Sequence, residues 1–267
     1  KILNKNKILA PKLINQNYKN NYIEVEDFGD NTLFKVLKHN KTNKELFFRK
    51  ILKTLSRLQL IKDKQVVNLN KQKYKVQKYE DKTLLNEAKL FSEWYAPTKI
   101  NKFQIRKFKK GYENEVKKLL SKLNLKNDTF VHRDFHVSNL MYVKNNIAVI
   151  DSQDALIGNK AYDLASLVDD VRFKTSNKLK NKILNNYFKK LKKTEIKEFI
   201  NDFEILSVLR NLKIIGIFMR LALRDNKKKY TKMIPYAWEM INYRMKKNRE
   251  FVNLKLILKR NFPKFVK

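Results

Sequence analysis

Phe130 to Asp151 runs FVHRDFHVSNLMYVKNNIAVID. Phe130-Val131 is an apolar lead-in, Leu140–Val143 and Ile147–Ile150 are two short β-rich runs, and Lys144-Asn145-Asn146 between them is turn-forming. The spacing predicts a β-hairpin. Asp134, Asn139 and Asp151 fall on the hairpin or at its edges, an odd place for structural polar residues. Loops fixed by a rigid scaffold are where catalytic groups concentrate.

Outward from the hairpin the texture is helical. Thr42-x-x-Glu45 has the form of a capping box ahead of Phe48, Ile51, Leu52, Leu55 and Leu58, which recur at helical spacing. Helices are also predicted over Leu84–Tyr95 and over Tyr112–Leu123, where Val116, Leu119, Leu120 and Leu123 make one stripe. Nearer the start, Tyr22–Glu26 (YIEVE) is a β-rich run ending in the turn Asp27-Phe28-Gly29-Asp30, and from that turn to Phe130 only helix is expected. After Tyr162 the chain reads as helix again, with Leu179–Leu191 and then Thr194 to about Arg224. The predicted fold class is therefore α+β, a mostly helical body around one small hairpin.

Bulk properties narrow the function. At 267 residues the chain can bury a sizeable core, and with four Gly and four Pro it has no linker or repeat. Cysteine is absent, which excludes disulfides, thiolate metal sites and cysteine nucleophiles and fits a reducing compartment, so cytoplasm is the expected location. No apolar run reaches the roughly 20 residues of a membrane helix, the best being Ile214–Met219. The net charge of +35 would suggest a polyanion partner, yet the lysines are spread evenly, interleaved with Asn, and form no arm or tail. Neither a specific nucleic acid nor a membrane is expected as partner. Residue 1 is Lys, and the beginning of the protein is expected to be missing.

His132-Arg133-Asp134-Phe135-His136-Val137-Ser138-Asn139 has the H-x-D-x-x-x-x-N spacing of a kinase catalytic loop, and Asp151 follows at the end of the second strand. Phosphoryl transfer asks a protein mainly for positioning and for neutralisation of charge. One carboxylate, Asp134, can orient the attacking hydroxyl and take its proton. Asn139 can offer a carbonyl oxygen and Asp151 a full charge to Mg²⁺, which commonly takes one or two protein carboxylates together with nucleotide phosphates. A rival reading makes His132 and His136 zinc ligands one helical turn apart, but Arg rather than Glu follows the first His and the flanks look like strand and loop. His132 reads instead as a loop-fixing residue. Asp27-Phe28-Gly29 resembles the metal-binding D-F-G of kinases, but it precedes the catalytic loop by roughly a hundred residues where that motif should follow it. Glu26, Asp27 and Phe28 are read as a hinge whose backbone could meet an adenine.

Taken together, VHRDFHVSNLM (131–141), IDSQDALIGNKAYDLASL (150–167), EDFGD (26–30), FSEWY (91–95) and RNLKIIGIFMRLALRD (210–225) resemble the aminoglycoside phosphotransferase and choline kinase family, with its protein-kinase-like fold. Within it, the nearest resemblance is to bacterial kinases that phosphorylate N-acetylmuramate and N-acetylglucosamine at the anomeric hydroxyl in cell-wall recycling. The resemblance implies an ATP- and Mg²⁺-dependent phosphotransferase, with Asp134 as catalytic base, Asn139 and Asp151 as magnesium ligands, and Asp163 buttressing the catalytic loop. The partners expected are a nucleotide and a small-molecule acceptor, for which aminoglycosides, choline and other small alcohols are the alternatives. A noncatalytic pseudokinase or polyanion-binding scaffold is the reading from another class. Ser152 departs from a usual aromatic and Asn159 from a usual Pro. Acceptor-side candidates are Gln153 and Asp154, with Glu87, Trp94 and Arg220. Trp94 reads first as a helix-face core residue, and Arg220 with Arg224 equally well as a solvated face. Residues 1–30 are expected to be a remnant of a small lobe with its hinge, and 31–267 a helical C-terminal catalytic lobe. Too few residues precede Glu26 for a phosphate-covering loop or a nucleotide-binding Lys, so the small lobe is expected to be largely missing.

Overall fold

Lys144 and Asn145 both have positive φ, 43° and 66°. Two successive left-handed residues make the tight turn whose twist matches a hairpin, and Asn tolerates this region better than most residues. The computed structural model describes residues 1–17, 19–39, 43–67, 71–246 and 248–266. In chain order its elements are α1 (Ile2–Lys5), β1 (Leu13–Asn17), β2 (Tyr22–Val25), α2 (Leu33–Lys38), α3 (Lys44–Gln59), β3 (Gln65–Val67), β4 (Lys73–Lys75), α4 (Asp81–Leu90), α5 (Lys102–Leu120), β5 (Asn127–Val131), β6 (Leu140–Val143), β7 (Asn146–Val149), β8 (Leu156–Asn159), α6 (Ala161–Val168), α7 (Asn177–Phe188), α8 (Lys193–Leu223), α9 (Ile234–Met245) and α10 (Val252–Asn261). The β6–β7 ladder runs from Leu140↔Val149 to Val143↔Asn146. Asn146 is thus a strand residue, not a turn residue, and the second strand stops at Val149, one residue short of the sequence expectation.

Two compact units divide the chain. The first comprises residues 1–79, 126–168 and 175–191. Its helix α3 buries Phe48, Ile51, Leu52, Leu55 and Leu58, the stripe expected for it. Asn43 caps α3 by accepting from the Leu46 N–H, while Thr42, the expected capping residue, lies outside the described residues. The expectation of helix alone between residues 30 and 130 is corrected by β3 and β4, a short antiparallel pair. A further strand, β8, pairs antiparallel with β5, Val131 opposite Leu156. That pairing lays the start of the 132–139 loop beside the segment that follows Asp151. Behind it α6 is buried along its whole length, and Asn159 opens it by accepting from the Ala161 N–H at 2.9 Å. The side chain of Asn159 thereby satisfies one of the free amides of the first helical turn.

The second unit comprises residues 80–125, 169–174 and 192–267. Helix α5 begins at Lys102 and runs through Gly111, well before the expected Tyr112, with Asn101 capping it by accepting from the Gln104 N–H. Helix α4 runs on into a π turn over Phe91–Tyr95, around which Phe91, Tyr95, Phe108, Tyr112, Trp238 and Phe262 form a cluster of ring contacts. Gly216 of α8 lies so close to that turn that a Cβ there would sit 2.3 Å from the Leu90 carbonyl carbon. The unit also buries Asp169, which accepts from Ser207 Oγ at 2.7 Å and from Arg244 Nε at 2.7 Å.

Candidate active site

Within the first unit the loop from His132 to Asn139 is fixed from below by one carboxylate. Asp163, 1% exposed, accepts from the His132 N–H at 2.7 Å and from the Arg133 N–H at 3.0 Å. Two adjacent amides pointing at one carboxylate require a kinked backbone, and Arg133 takes φ +75° to provide it. A left-handed bulky residue is costly and persists where its surroundings determine it. Arg133 is held further by Nη1 donating to the Asp154 carbonyl at 3.2 Å, with its guanidinium over the Tyr79 ring at 5.3 Å. Nothing in the residue type of Arg133 announces this positive φ in the sequence.

Hydrogen bonds join this loop to the segment after β7. His132 Nε2 pairs with the Ile150 carbonyl at 2.9 Å. The Ile150 N–H donates to the Asn139 carbonyl at 3.1 Å, and Asn139 Nδ2 donates to Asp151 Oδ2 at 3.3 Å. The Arg133–Asp154 bond is another. The Asp134 carbonyl accepts from the His136 N–H at 3.0 Å and from Asn139 Nδ2 at 3.2 Å. One amide, Asn139, therefore bridges the backbone of Asp134 and the side chain of Asp151. Asp151 also has a left-handed backbone, φ +63°, and Gln153 Nε2 donates to its Oδ1 at 2.7 Å.

His132 and His136 stand in a loop and not on one helix face, and among the described residues no group of three or more His, Cys, Asp or Glu is arranged to hold a metal ion. Burial pushes the His132 imidazole below its ordinary pKa, against the raising influence of the Ile150 carbonyl and of Asp134 and Asp151. Asn139 and Asp151 form a smaller, oxygen-only donor set. That set fits Mg²⁺, which takes few protein ligands and completes its shell with waters and phosphates. A half-turn of the Asn139 amide would present its oxygen where its NH₂ now faces Asp151.

A cleft of about 610 Å³ opens beside Asp151. Leu13, Ile23, Val25, Met141, Val149 and Ile150 give it apolar walls, and Glu26 to Asp30, Thr32, Lys35, Asp151 and Gln153 line it with polar groups. The hinge candidates Glu26, Asp27 and Phe28 thus share one cleft with Asp151. Their turn is set by Asp27 Oδ1, which accepts from the Gly29 N–H at 2.8 Å, with Gly29 at φ +71°. The turn is fastened to the hairpin where the Tyr142 N–H donates to the Asn31 carbonyl at 2.9 Å. Met141 and Val149, one from each strand of the hairpin, also line the cleft, and neither stands out in the sequence from its apolar neighbours.

Three acceptor-side candidates belong to the second unit. Glu87 is ion-paired with Lys213 at 2.9 Å, each 13% exposed. Trp94 is half-buried in the π turn. Arg220 is half-buried on α8, and its buried Nε has no hydrogen bond among the described residues.

Solved structures of similar fold include small-molecule kinases. A choline/ethanolamine kinase family protein from Mesorhizobium loti matches with a TM-score of 0.62 over 97% of this chain and 80% of that one, at 11% identity. A Plasmodium vivax ethanolamine kinase matches with a TM-score of 0.58 over 91% and 69%, at 18% identity. The fold is the helix-rich α+β kinase-like one. The phosphotransferase enzyme family model matches residues 7–198, and the chain belongs to that family. An N-acetylmuramate/N-acetylglucosamine kinase of Neisseria meningitidis serogroup B is 34% identical over 182 residues, 66% of this chain and 54% of that protein. A protein of the same name from Pseudomonas aeruginosa is 26% identical over 255 residues, 92% of this chain and 71% of that protein. The match to the Neisseria relative thus spans about half of that relative's length.

Proposed function

We propose that this chain carries the catalytic centre of an ATP-dependent kinase that phosphorylates a hydroxyl of an amino sugar, N-acetylmuramate or N-acetylglucosamine at the anomeric position. The observation that carries the reading is Asn139 bridging the Asp134 carbonyl and the Asp151 carboxylate, since it groups a base with the two metal donors a phosphotransferase needs. The names of the relatives supply the acceptor class.

Asp134 orients the acceptor hydroxyl and takes its proton as the oxygen attacks the γ-phosphorus, while the bond from that phosphorus to the bridging oxygen breaks and ADP departs. Asp151 and Asn139 would hold Mg²⁺, which supplies neutralisation of charge on the phosphates. His132 is not the base, because its Nε2 is engaged with Ile150 and its ring is buried. With Asp163, His132 holds the loop in place. Backbone groups of Glu26 to Phe28 would meet the adenine, and the aliphatic side chains lining the cleft would give its ring an apolar surface. We assign the reaction to the cytoplasm, where ATP is available, as a step in cell-wall sugar salvage.

The test is ADP release from ATP and Mg²⁺ with a panel of N-acetylmuramate, N-acetylglucosamine, choline and kanamycin, using the longest form of the protein that can be expressed. The two amino sugars are expected to be turned over, and Asp134→Asn is expected to lower kcat at least about 100-fold. Turnover of choline or kanamycin alone would overturn the acceptor assignment. Full activity of the Asp134→Asn variant would overturn the base.

A further inference from the structure

Gln153 follows Asp151 closely enough to be read as an acceptor contact, but its amide is turned back onto the carboxylate. We propose that Gln153 is a positioning residue for Asp151, acting on metal capture and not on the acceptor. The inference rests on the reading of Asp151 as a metal ligand.

Asp151 is exposed, so its carboxylate would rotate freely unless something fixed its plane. Two amides do so, Gln153 on Oδ1 at 2.7 Å and Asn139 on Oδ2 at 3.3 Å. They differ in what metal binding asks of them. Asn139 must turn its oxygen toward the cation, which ends its NH₂ contact with Oδ2. Gln153 sits on the other oxygen and keeps its bond through that change. Its backbone is held too, because the turn around it is closed by the Ala155 N–H on the Ser152 carbonyl at 3.3 Å and anchored by Arg133 on the Asp154 carbonyl.

Holding one carboxylate oxygen leaves the other to bind alone. Single-oxygen ligation suits Mg²⁺, which demands near-octahedral geometry, whereas Ca²⁺ readily takes both oxygens of a carboxylate. Partners that orient a ligand in this way typically contribute about 10- to 100-fold to metal affinity.

The test follows Mn²⁺ by electron paramagnetic resonance as it binds the chain in the presence of ADP, for wild type, Gln153→Ala, Gln153→Met and Asp151→Asn. Gln153→Met keeps the side-chain length and removes the donor. Both Gln153 variants are expected to bind Mn²⁺ about 10-fold more weakly, to compete less well against Ca²⁺, and to leave the acceptor KM and the melting temperature unchanged. Unchanged Mn²⁺ affinity in both overturns the proposal, and a raised acceptor KM alongside it would return Gln153 to the acceptor side. Asp151→Asn separates the two levels. If it abolishes Mn²⁺ binding while the Gln153 variants do not weaken it, only the positioning role fails. If it leaves Mn²⁺ binding intact, the metal assignment fails with it.

Discussion

At the scale of single residues, His132 makes the clearest case of burial setting chemistry. Folded, it binds a proton less readily than an unfolded histidine, whose pKa is about 6.5. Well above that value both states are neutral and the shift contributes nothing. As pH falls below it, the unfolded chain takes up a proton that the folded chain refuses, so stability declines until the folded value is reached. His132→Gln keeps a donor within reach of the Ile150 carbonyl and removes the titration. Melting temperatures from about pH 7 to about pH 5 are expected to fall less steeply for this variant than for wild type, and parallel curves would contradict the argument. The grouping of Asp134, Asn139 and Asp151 was legible in the sequence, because their spacing along the loop and hairpin brings them together through the Asn139 amide. Arg133 does not stand out, since its part depends on a positive φ, and Gln153 reads as an acceptor-side residue because a side chain folding back onto Asp151 leaves no trace in residue type.

At the scale of elements, two helical glycines make a controlled comparison. Gly111 lies inside α5 with nothing within 4 Å of a built Cβ, whereas at Gly216 the same atom would lie 2.3 Å from the Leu90 carbonyl carbon. Gly111→Ala is expected to stabilise by about 0.5–1 kcal/mol through helix propensity and unfolded-state entropy. Gly216→Ala gains the same propensity but meets backbone that cannot turn aside, and overpacking of about 1–3 kcal/mol wins. Chemical denaturation of both variants should move the midpoints in opposite directions. Elements were legible in proportion to their length and periodicity. The stripe of α3 and the long run of α8 announce themselves, while β3, β4 and β8, of three or four residues each, carry too few alternations to stand out. β8 is further disguised by Gly158, whose missing side chain admits Tyr79, with a Cβ there only 2.8 Å from that of Tyr79.

At the scale of the whole molecule, 61 Lys and Arg against 26 Asp and Glu make polyanion binding unavoidable at low salt. The question is whether it is a function. Positive charge spread over nearly all of the helices attracts phosphate without reading sequence, and that attraction is screened at distances beyond about 8 Å at physiological ionic strength. Fluorescence anisotropy with labelled single-stranded DNA is expected to show binding at about 20 mM salt that disappears by about 150 mM, with no preference among sequences. Retention at the higher salt would instead support a polyanion scaffold. Composition alone could not separate the two, because it records how much charge is present and not where it gathers.

The left-handed backbone at Asp151 also has an evolutionary side. Of the residues that one nucleotide change can put in place of an aspartate, asparagine and glycine accept that backbone most easily, with histidine behind them. A lineage of this fold that abandoned phosphotransfer yet kept its shape should therefore reach silence through Asn or Gly at this position. Alanine, valine or tyrosine there would remove the carboxylate and strain the backbone in the same step, so the loss of activity and the loss of the fold would be hard to tell apart in its descendants.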